Sequence, residues 1–403
     1  MTDIFVFWLL FFAVGIGWLL GRRSLYSASI RPELPSQYYR GLNFLLDGRP
    51  DVAVDAFINA LEVNSDTLET HIALGNLLRK RGEVDRAIRI HQNLLARPSL
   101  SQEHIHLAHL ELARDYVSAG LLDRAERLLL DLVEEAPEQR LVARRHLLDV
   151  YQSERDWSQA IKIAIELLPK KKILKTSPNI KEPGQAVATI LAHYYCELAF
   201  QKKSLGELSL SRELLNKAIF RDRQCVRALI QLGEIELMSG QPKEAIKALK
   251  QVRECAPEFI SETIVLLRNA FTKAGKIDTM TNYLKECYKS HPNPTIALEI
   301  AEDLLLEEGS ESARAFLYKE LTEHPSLGGF SKLIKLQPID LTGKIGKNLD
   351  QLLNLVDILI KQRTKYRCDH CGFSGQQLHW NCPGCKYWGT VRPLHSEEIE
   401  KIV

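Results

Sequence analysis

The chain lacks most of what would mark it as an enzyme. Its 403 residues hold no phosphate-cradling G-x-x-x-x-G-K-[ST] loop, no G-x-G-x-x-G after a strand, no G-x-S-x-G elbow and no H-E-x-x-H pair. Aromatic residues are scarce at 7%, which favours a helical fold over a β-rich one. A formal net charge of only +2 excludes a general nucleic-acid binder, whose basic excess is larger. Four of the eight cysteines, Cys196, Cys225, Cys255 and Cys287, have no C-x-x-C partner. They read as small buried side chains in a reducing compartment rather than as catalytic thiols or disulfide halves. His104, His106 and His109 lie close in sequence, but on a helix only the last two approach one face, which suits surface or packing roles.

The first apolar run also lacks something, namely positive charge in front of it. Ile4 to Leu20 carries no charge, Asp3 precedes it, and Arg22, Arg23 and Arg31 come after it. Seventeen helical residues reach roughly 25 Å, and flanking arginines can snorkel to make up a ~30 Å hydrocarbon core. A cleaved signal peptide would carry its positive charge before the run. The pattern predicts a single-pass anchor over 1–21 with its N-terminus outside and the bulk of the chain in the cytoplasm, followed by a juxtamembrane linker over 22–33.

Beyond residue 33 the chain is periodic. Gly41 and Gly75 are 34 residues apart, as are Gly48 and Gly82, Asp51 and Asp85, and Ala53 and Ala87. That is the period of the tetratricopeptide repeat, a helix–turn–helix unit. A small residue with a glycine seven positions on recurs as Gly41/Gly48, Gly75/Gly82, Ala113/Gly120, Ala199/Gly206 and Gly233/Gly240. The small residue allows two helices to cross closely, and the glycine accepts positive φ where the first helix ends. Ala53, Ala87, Ala125, Ser211 and Ala245 mark the second helix, with Phe57, His91, Leu129, Leu215 and Leu249 four positions later. Pro98, Pro137, Pro257, Pro292 and Pro325 stop second helices. Some repeats are degenerate: Arg155 replaces a turn glycine, Met280 takes a small position, and Ala313 arrives one residue early after Gly309.

About eight repeats are expected over 34–326, with an insertion near 169–185 where Lys170, Lys171, Lys172 and Lys175 mix with Pro169, Pro178, Pro183 and Gly184. A solvated connection accounts for that composition, and a contact with anionic headgroups is the alternative. Residues 327–364, apolar at helical spacing, are expected to cap the array, because a repeat stack cannot end on a bare apolar face.

The sharpest signal lies at the end. Cys368, Cys371, Cys382 and Cys385 form two C-x-x-C pairs ten residues apart, the spacing at which four thiolates take one tetrahedral ion. Gly372, and Pro383 with Gly384, read as the turn residues of two knuckles. The ion would hold together a module of about 30 residues, here 365–395, too small to sustain its own core. Residues 396–403 form a tail. With no ligand position left open, the metal is structural, and thiolates alone leave iron and zinc both admissible.

The order of these parts, with Tyr366-Arg-Cys-Asp-His-Cys-Gly-Phe373 and His379-Trp-Asn-Cys-Pro-Gly-Cys-Lys-Tyr-Trp388, resembles the lipopolysaccharide assembly protein B family of Gram-negative bacteria. The resemblance implies a rubredoxin-type module packed against the repeat array, carrying one tetrathiolate ion, iron or zinc. It also implies a place at the cell inner membrane and a non-enzymatic adaptor role. Such an adaptor helps a membrane-anchored AAA+ protease degrade the lipid A-committing deacetylase, and so limits lipopolysaccharide synthesis. Other lipopolysaccharide synthesis or transport proteins, the membrane itself and a second copy of the chain are further expected partners; nucleic acid is not. The alternatives are a general scaffold for lipopolysaccharide assembly or a redox- or metal-sensing regulator. The fold class is therefore all-α, a tetratricopeptide-repeat solenoid with an N-terminal transmembrane helix and a small rubredoxin-like or zinc-ribbon module.

Overall fold

The structure is a computed structural model that describes residues 68–96, 100–169, 185–337 and 344–394, with a few isolated positions before residue 57. Of the expected anchor only Val14, Gly15, Ile16 and Trp18 are described, all helical. The linker over 22–33, most of the first repeat, Pro98, the lysines at 170–175 and the tail at 396–403 lie outside the described residues. Among the described residues, no helix is long and apolar enough to cross a membrane.

The chain divides into two compact units, Met1–Ala143 and Arg144–Val403. Among the described residues, the first contains two hairpins, α1 (Leu68–Lys80) with α2 (Val84–Leu95) and α3 (Gln102–Ser118) with α4 (Leu122–Glu135). Leu78, Ala87 and Ile90 form one small core, and Leu68, Leu94, Leu100 and Ala108 another. His91 is fully buried at the position that bulky apolar residues fill elsewhere. It sits over Gly75, where any Cβ would overlap the imidazole, and its Nδ1 lies 2.5 Å from Asp115 Oδ2. Arg79 closes the same network on Asp115 at 2.7 Å and Glu111 at 2.8 Å. His106 is paired too, with Nδ1 2.6 Å from Glu138 Oε1.

The helix α5 (Arg140–Glu154) crosses the division and pairs in sequence with α6 (Trp157–Leu167). Four more hairpins come next: α7 (Val187–Ser204) with α8 (Leu208–Arg221), α9 (Val226–Met238) with α10 (Pro242–Cys255), α11 (Ile260–Lys273) with α12 (Ile277–Ser290), and α13 (Pro294–Glu307) with α14 (Ser310–Glu323). A 3-10 turn at Pro257–Phe259 precedes α11. The second helices α4, α10, α12 and α14 each end two residues before a proline, since proline constrains the residue ahead of it away from the helix.

The turns explain the glycine spacing. Gly82, Gly120, Gly206, Gly240 and Gly275 all have φ between 65° and 83°. Each begins a reversal in which the next backbone N–H returns to a carbonyl five residues back, as Gln241 N donates to Glu236 O at 2.8 Å. Gly309, with φ 96°, stands directly before α14, one residue closer than the other turn glycines stand to their helices. That shorter turn is why Ala313 comes early in sequence yet is still fully buried.

Small and bulky residues across each hairpin are complementary in shape. A Cβ on Gly233 would lie 2.6 Å from Leu249 Cδ2, so the glycine exists to admit the leucine. Beyond the hairpins, α15 (Leu327–Lys335) meets α16 (Lys344–Gln362) through Ser331 and Lys335, bonded to Asp357 at 2.9 and 2.8 Å. One face of α16 buries Leu353, while Leu352, Leu355, Ile358 and Leu359 stay exposed. The terminal helix thus carries an apolar stripe of its own.

The chain ends, among the described residues, in a small antiparallel sheet of order β2-β1-β3, with β1 (Tyr366–Cys368), β2 (Ser374–Gly375) and β3 (Val391–Pro393). Tyr366 stands opposite Gly375 and Cys368 opposite Val391. Its core is Cys368, Cys382 and Val391, with Phe373 and Leu378 against them. So small a core cannot offset the entropy of ordering the segment without a cross-link.

Candidate metal centre

The two C-x-x-C turns, one leaving β1 and one between β2 and β3, bring all four Sγ atoms within 4.8 Å of one another. Cys368 and Cys385 are 3.8 Å apart at sulfur, Cys371 and Cys382 3.6 Å. An ion bonded tetrahedrally to four thiolates at ~2.3 Å sets the sulfurs about 3.8 Å apart, whereas a disulfide needs about 2.0 Å. The separations therefore fit a shared ion and not a bonded pair. Zinc and iron are equally consistent with this donor set.

The knuckles are built alike. In the first, Cys368 N donates to Phe373 O at 2.7 Å and Gly372 N to Cys368 O at 2.9 Å. In the second, Cys382 N donates to Tyr387 O and Lys386 N to Cys382 O, both at 2.9 Å. Gly372 has φ 76°, and its counterpart is Lys386 with φ 62°. The left-handed residue of the second knuckle is thus Lys386, not Pro383 or Gly384. Gly384 is needed for a different reason: its Cβ would come within 3.2 Å of Cys371 Sγ and fill space the sulfurs use.

The sulfurs sit among donors suited to negative charge. Burial raises the Cys368 thiol, but Thr390 Oγ1, 3.3 Å away, and the backbone N–H groups of Cys371 and His370 outweigh it and bring the pKa down to about 6. Cys385 is pushed up to about 12, first by burial and then by its neighbouring sulfurs. A cation shared by the four sulfurs would remove the repulsion among them and hold all four as thiolates.

The module is seated on the array by one deeply buried residue that the sequence did not flag. Trp388 is 4% exposed. Its indole Nε1 donates to Gln152 Oε1 at 3.0 Å, an oxygen that also accepts from the Tyr194 hydroxyl at 2.9 Å. Its backbone N–H donates to Gln185 Oε1 at 2.9 Å, and the Gln185 amide returns a bond to Trp388 O. Trp157 and Tyr194 meet the indole edge-on, His193 stacks on it, and the Arg227 guanidinium lies 5.9 Å from its centroid. A second anchor is Trp380, stacked on Phe259 at 5.8 Å. Around the edge, Tyr366 donates to Glu262 at 3.0 Å and Arg392 to Glu258 at 2.6 Å. Arg392 also pairs with Asp369, so its charge is spent within the protein. The contacts fall on four successive hairpins: Gln152 on α5 and Trp157 on α6, His193 and Tyr194 on α7, Arg227 on α9 and Glu262 on α11, with Gln185 just before α7 and Glu258 and Phe259 in the 3-10 turn. The packing of module on array that the resemblance implied is present.

The isolated cysteines are in the array. Cys196, Cys225 and Cys287 are buried and Cys255 half-buried. Cys196, on α7, and Cys225, just before α9, approach to 4.0 Å at sulfur.

Comparison with known proteins agrees with this architecture. The rubredoxin metal binding domain family matches residues 366–393, and tetratricopeptide repeat families match 70–103 and 203–258. Lipopolysaccharide assembly protein B of Escherichia coli K12 is 34% identical over 392 residues, covering 96% of this chain and 97% of that protein. The chain belongs to the lipopolysaccharide assembly protein B family. The Haemophilus influenzae member is 35% identical over 404 residues, covering 98% of each. Among solved structures, MamA from Desulfovibrio magneticus RS-1 aligns over 48% of this chain and 97% of its own, at 14% identity and a TM-score of 0.32, too slight a likeness to bear on function.

Proposed function

We propose that this chain is a non-enzymatic adaptor that regulates lipopolysaccharide synthesis from the cytoplasmic face of the inner membrane. Its family members carry lipopolysaccharide assembly in their name. In this reading the apolar run Ile4–Leu20 is the anchor and confines the repeats to the membrane plane, where effective concentrations of membrane-bound partners are high. The repeats present a membrane-anchored AAA+ protease with the lipid A-committing deacetylase, and degradation of the deacetylase limits synthesis. Cys368, Cys371, Cys382 and Cys385 hold one structural ion, zinc or iron.

The observation that carries the reading is the seat of Trp388. A metal-closed module locked across four successive hairpins stiffens the array into a fixed surface, as presenting one protein to another requires. Among the described residues, Arg79, Glu111 and Asp115 are ion-paired within the array, and the four clustered cysteines are candidate metal ligands.

Depleting the protein and following deacetylase turnover tests the proposal. The expected result is a deacetylase half-life several-fold longer. An unchanged half-life with impaired lipopolysaccharide assembly would leave a general scaffold as the function. Removing residues 1–21 is expected to give a folded protein with much weaker regulation, and undiminished regulation would make the anchor dispensable.

A further inference from the structure

The metal module covers the row of first helices from α5 to the start of α11, and the next stretch of that row is left open. A cavity of about 700 Å³ lies there, within the volume range of ligand sites. Within the second unit it is built by the first turns of α11, α13 and α15, Leu321 of α14, the end of α16, the segment Arg363–Tyr366 that enters β1, and Pro393 with Leu394 where β3 ends. Leu321, Leu327, Phe330, Ile360 and Leu394 supply apolar wall, and Phe330 is 49% exposed.

The charge of the lining is uneven. Arg363 and Lys365 are exposed, and neither side chain has an ion pair among the described residues. The one carboxylate in the lining, Glu262, already accepts from the Tyr366 hydroxyl. Two helix starts reinforce the positive field, although Asn293 and Ser326 already cap them through Thr295 N and Gly329 N. Free cations beside a bare apolar wall suit a ligand offering carboxylates and large apolar side chains together.

We infer that this cavity binds a short segment of a partner protein in which acidic residues alternate with large apolar ones. The inference rests on the adaptor reading and gives it a physical contact. It is tested with purified protein alone, so its failure would leave the deacetylase-turnover result untouched.

The test is selection from a phage-displayed random peptide library on the full-length protein in detergent, followed by fluorescence polarisation of the enriched peptides. Arg363→Glu with Lys365→Glu reverses the free charges, and Phe330→Ser removes the exposed ring; all three positions are exposed, and circular dichroism checks that each variant stays folded. The expected result is enrichment of Asp and Glu interleaved with Leu, Ile or Phe, with binding weakened about tenfold or more by charge reversal and also reduced by Phe330→Ser. Enriched peptides without acidic residues, or equal binding to the charge-reversed variant, would overturn the inference. So would binding that emerges only after deleting residues 395–403, because that segment, with Glu397, Glu398, Ile399 and Glu400, would then be the cavity's occupant.

Discussion

The imidazole of His193 lies stacked on the indole of Trp388, with ring centroids 5.2 Å apart and planes 23° from parallel. Burial first, and the nearby Arg227 charge second, lower the histidine pKa from 6.5 to about 3. The folded protein therefore keeps His193 neutral where the unfolded chain takes up a proton. Stability held by this group is complete above the unfolded value, near 6.5, and is lost as pH falls toward the folded value. The slope reaches about 1.4 kcal/mol per pH unit. His193→Phe keeps a flat ring on Trp388 and removes the titration. Denaturant midpoints of the two proteins, compared from about pH 7 to about pH 4.5, are expected to diverge, with the wild type falling faster. Parallel slopes would show that the imidazole is not held neutral.

Docking of the module and its own folding are separable. Trp388→Ala empties a buried site on the array, a change that typically costs about 3–5 kcal/mol, while leaving the four cysteines in place. The variant is expected to keep one ion per chain yet become sensitive to protease near Arg363–Lys365. Cys382→Ser, by contrast, removes a candidate ligand, so bound metal and regulation should be lost together while membrane attachment persists. Metal analysis beside limited proteolysis distinguishes the two. A Trp388→Ala protein as protease-resistant as wild type would mean that the edge contacts of Tyr366 and Arg392 suffice to hold the module.

Local and periodic features could be read from the sequence. The hairpin glycines repeat because one backbone geometry repeats, and the C-x-x-C pairs stand out because two sulfurs on one tight turn fix their own spacing. The seat of the module is another matter. Trp388 meets Gln152 and Tyr366 meets Glu262 across 236 and 104 residues with no period relating them, and Gln185 stands at the edge of a lysine-rich insertion whose composition pointed to solvent or anionic headgroups rather than to the module. Composition misled at the second knuckle. Pro383 and Gly384 read as the turn residues there, yet the left-handed position belongs to Lys386, and Gly384 serves sulfur clearance. The exposed stripe on α16 was hidden for a similar reason: periodicity shows that a helix has an apolar face, not whether anything covers it.

Shape complementarity between Gly233 and Leu249 gives a test in which a sign changes. In wild type, Gly233→Ala would gain up to about 1 kcal/mol of helix propensity but press a Cβ into Leu249, an overpacking cost of about 1–3 kcal/mol. The net effect is expected to be destabilising. In a Leu249→Ala background the obstruction is gone, and the same Gly233→Ala change should become stabilising by several tenths of a kcal/mol to about 1. Thermal or denaturant unfolding of the four proteins closes the cycle. An unchanged sign would show that the glycine is not there to make room for the leucine.

Arg155 is the one turn between first and second helices, among the described residues, where a side chain occupies the left-handed position. Its φ is 60°, and Asp156 N returns to Tyr151 O at 2.9 Å, as the equivalent N–H does after Gly82, Gly120, Gly206, Gly240 and Gly275. A non-glycine residue there bears about 1–2 kcal/mol of backbone strain, while glycine adds roughly 0.5–1 kcal/mol of unfolded-state entropy. Arg155→Gly is therefore expected to stabilise the protein by several tenths of a kcal/mol to about 1. The shift in denaturant midpoint should come without a change in slope, because the surface exposed on unfolding is the same. A loss of stability would mean that the Arg155 side chain makes a contact worth more than the strain its backbone carries.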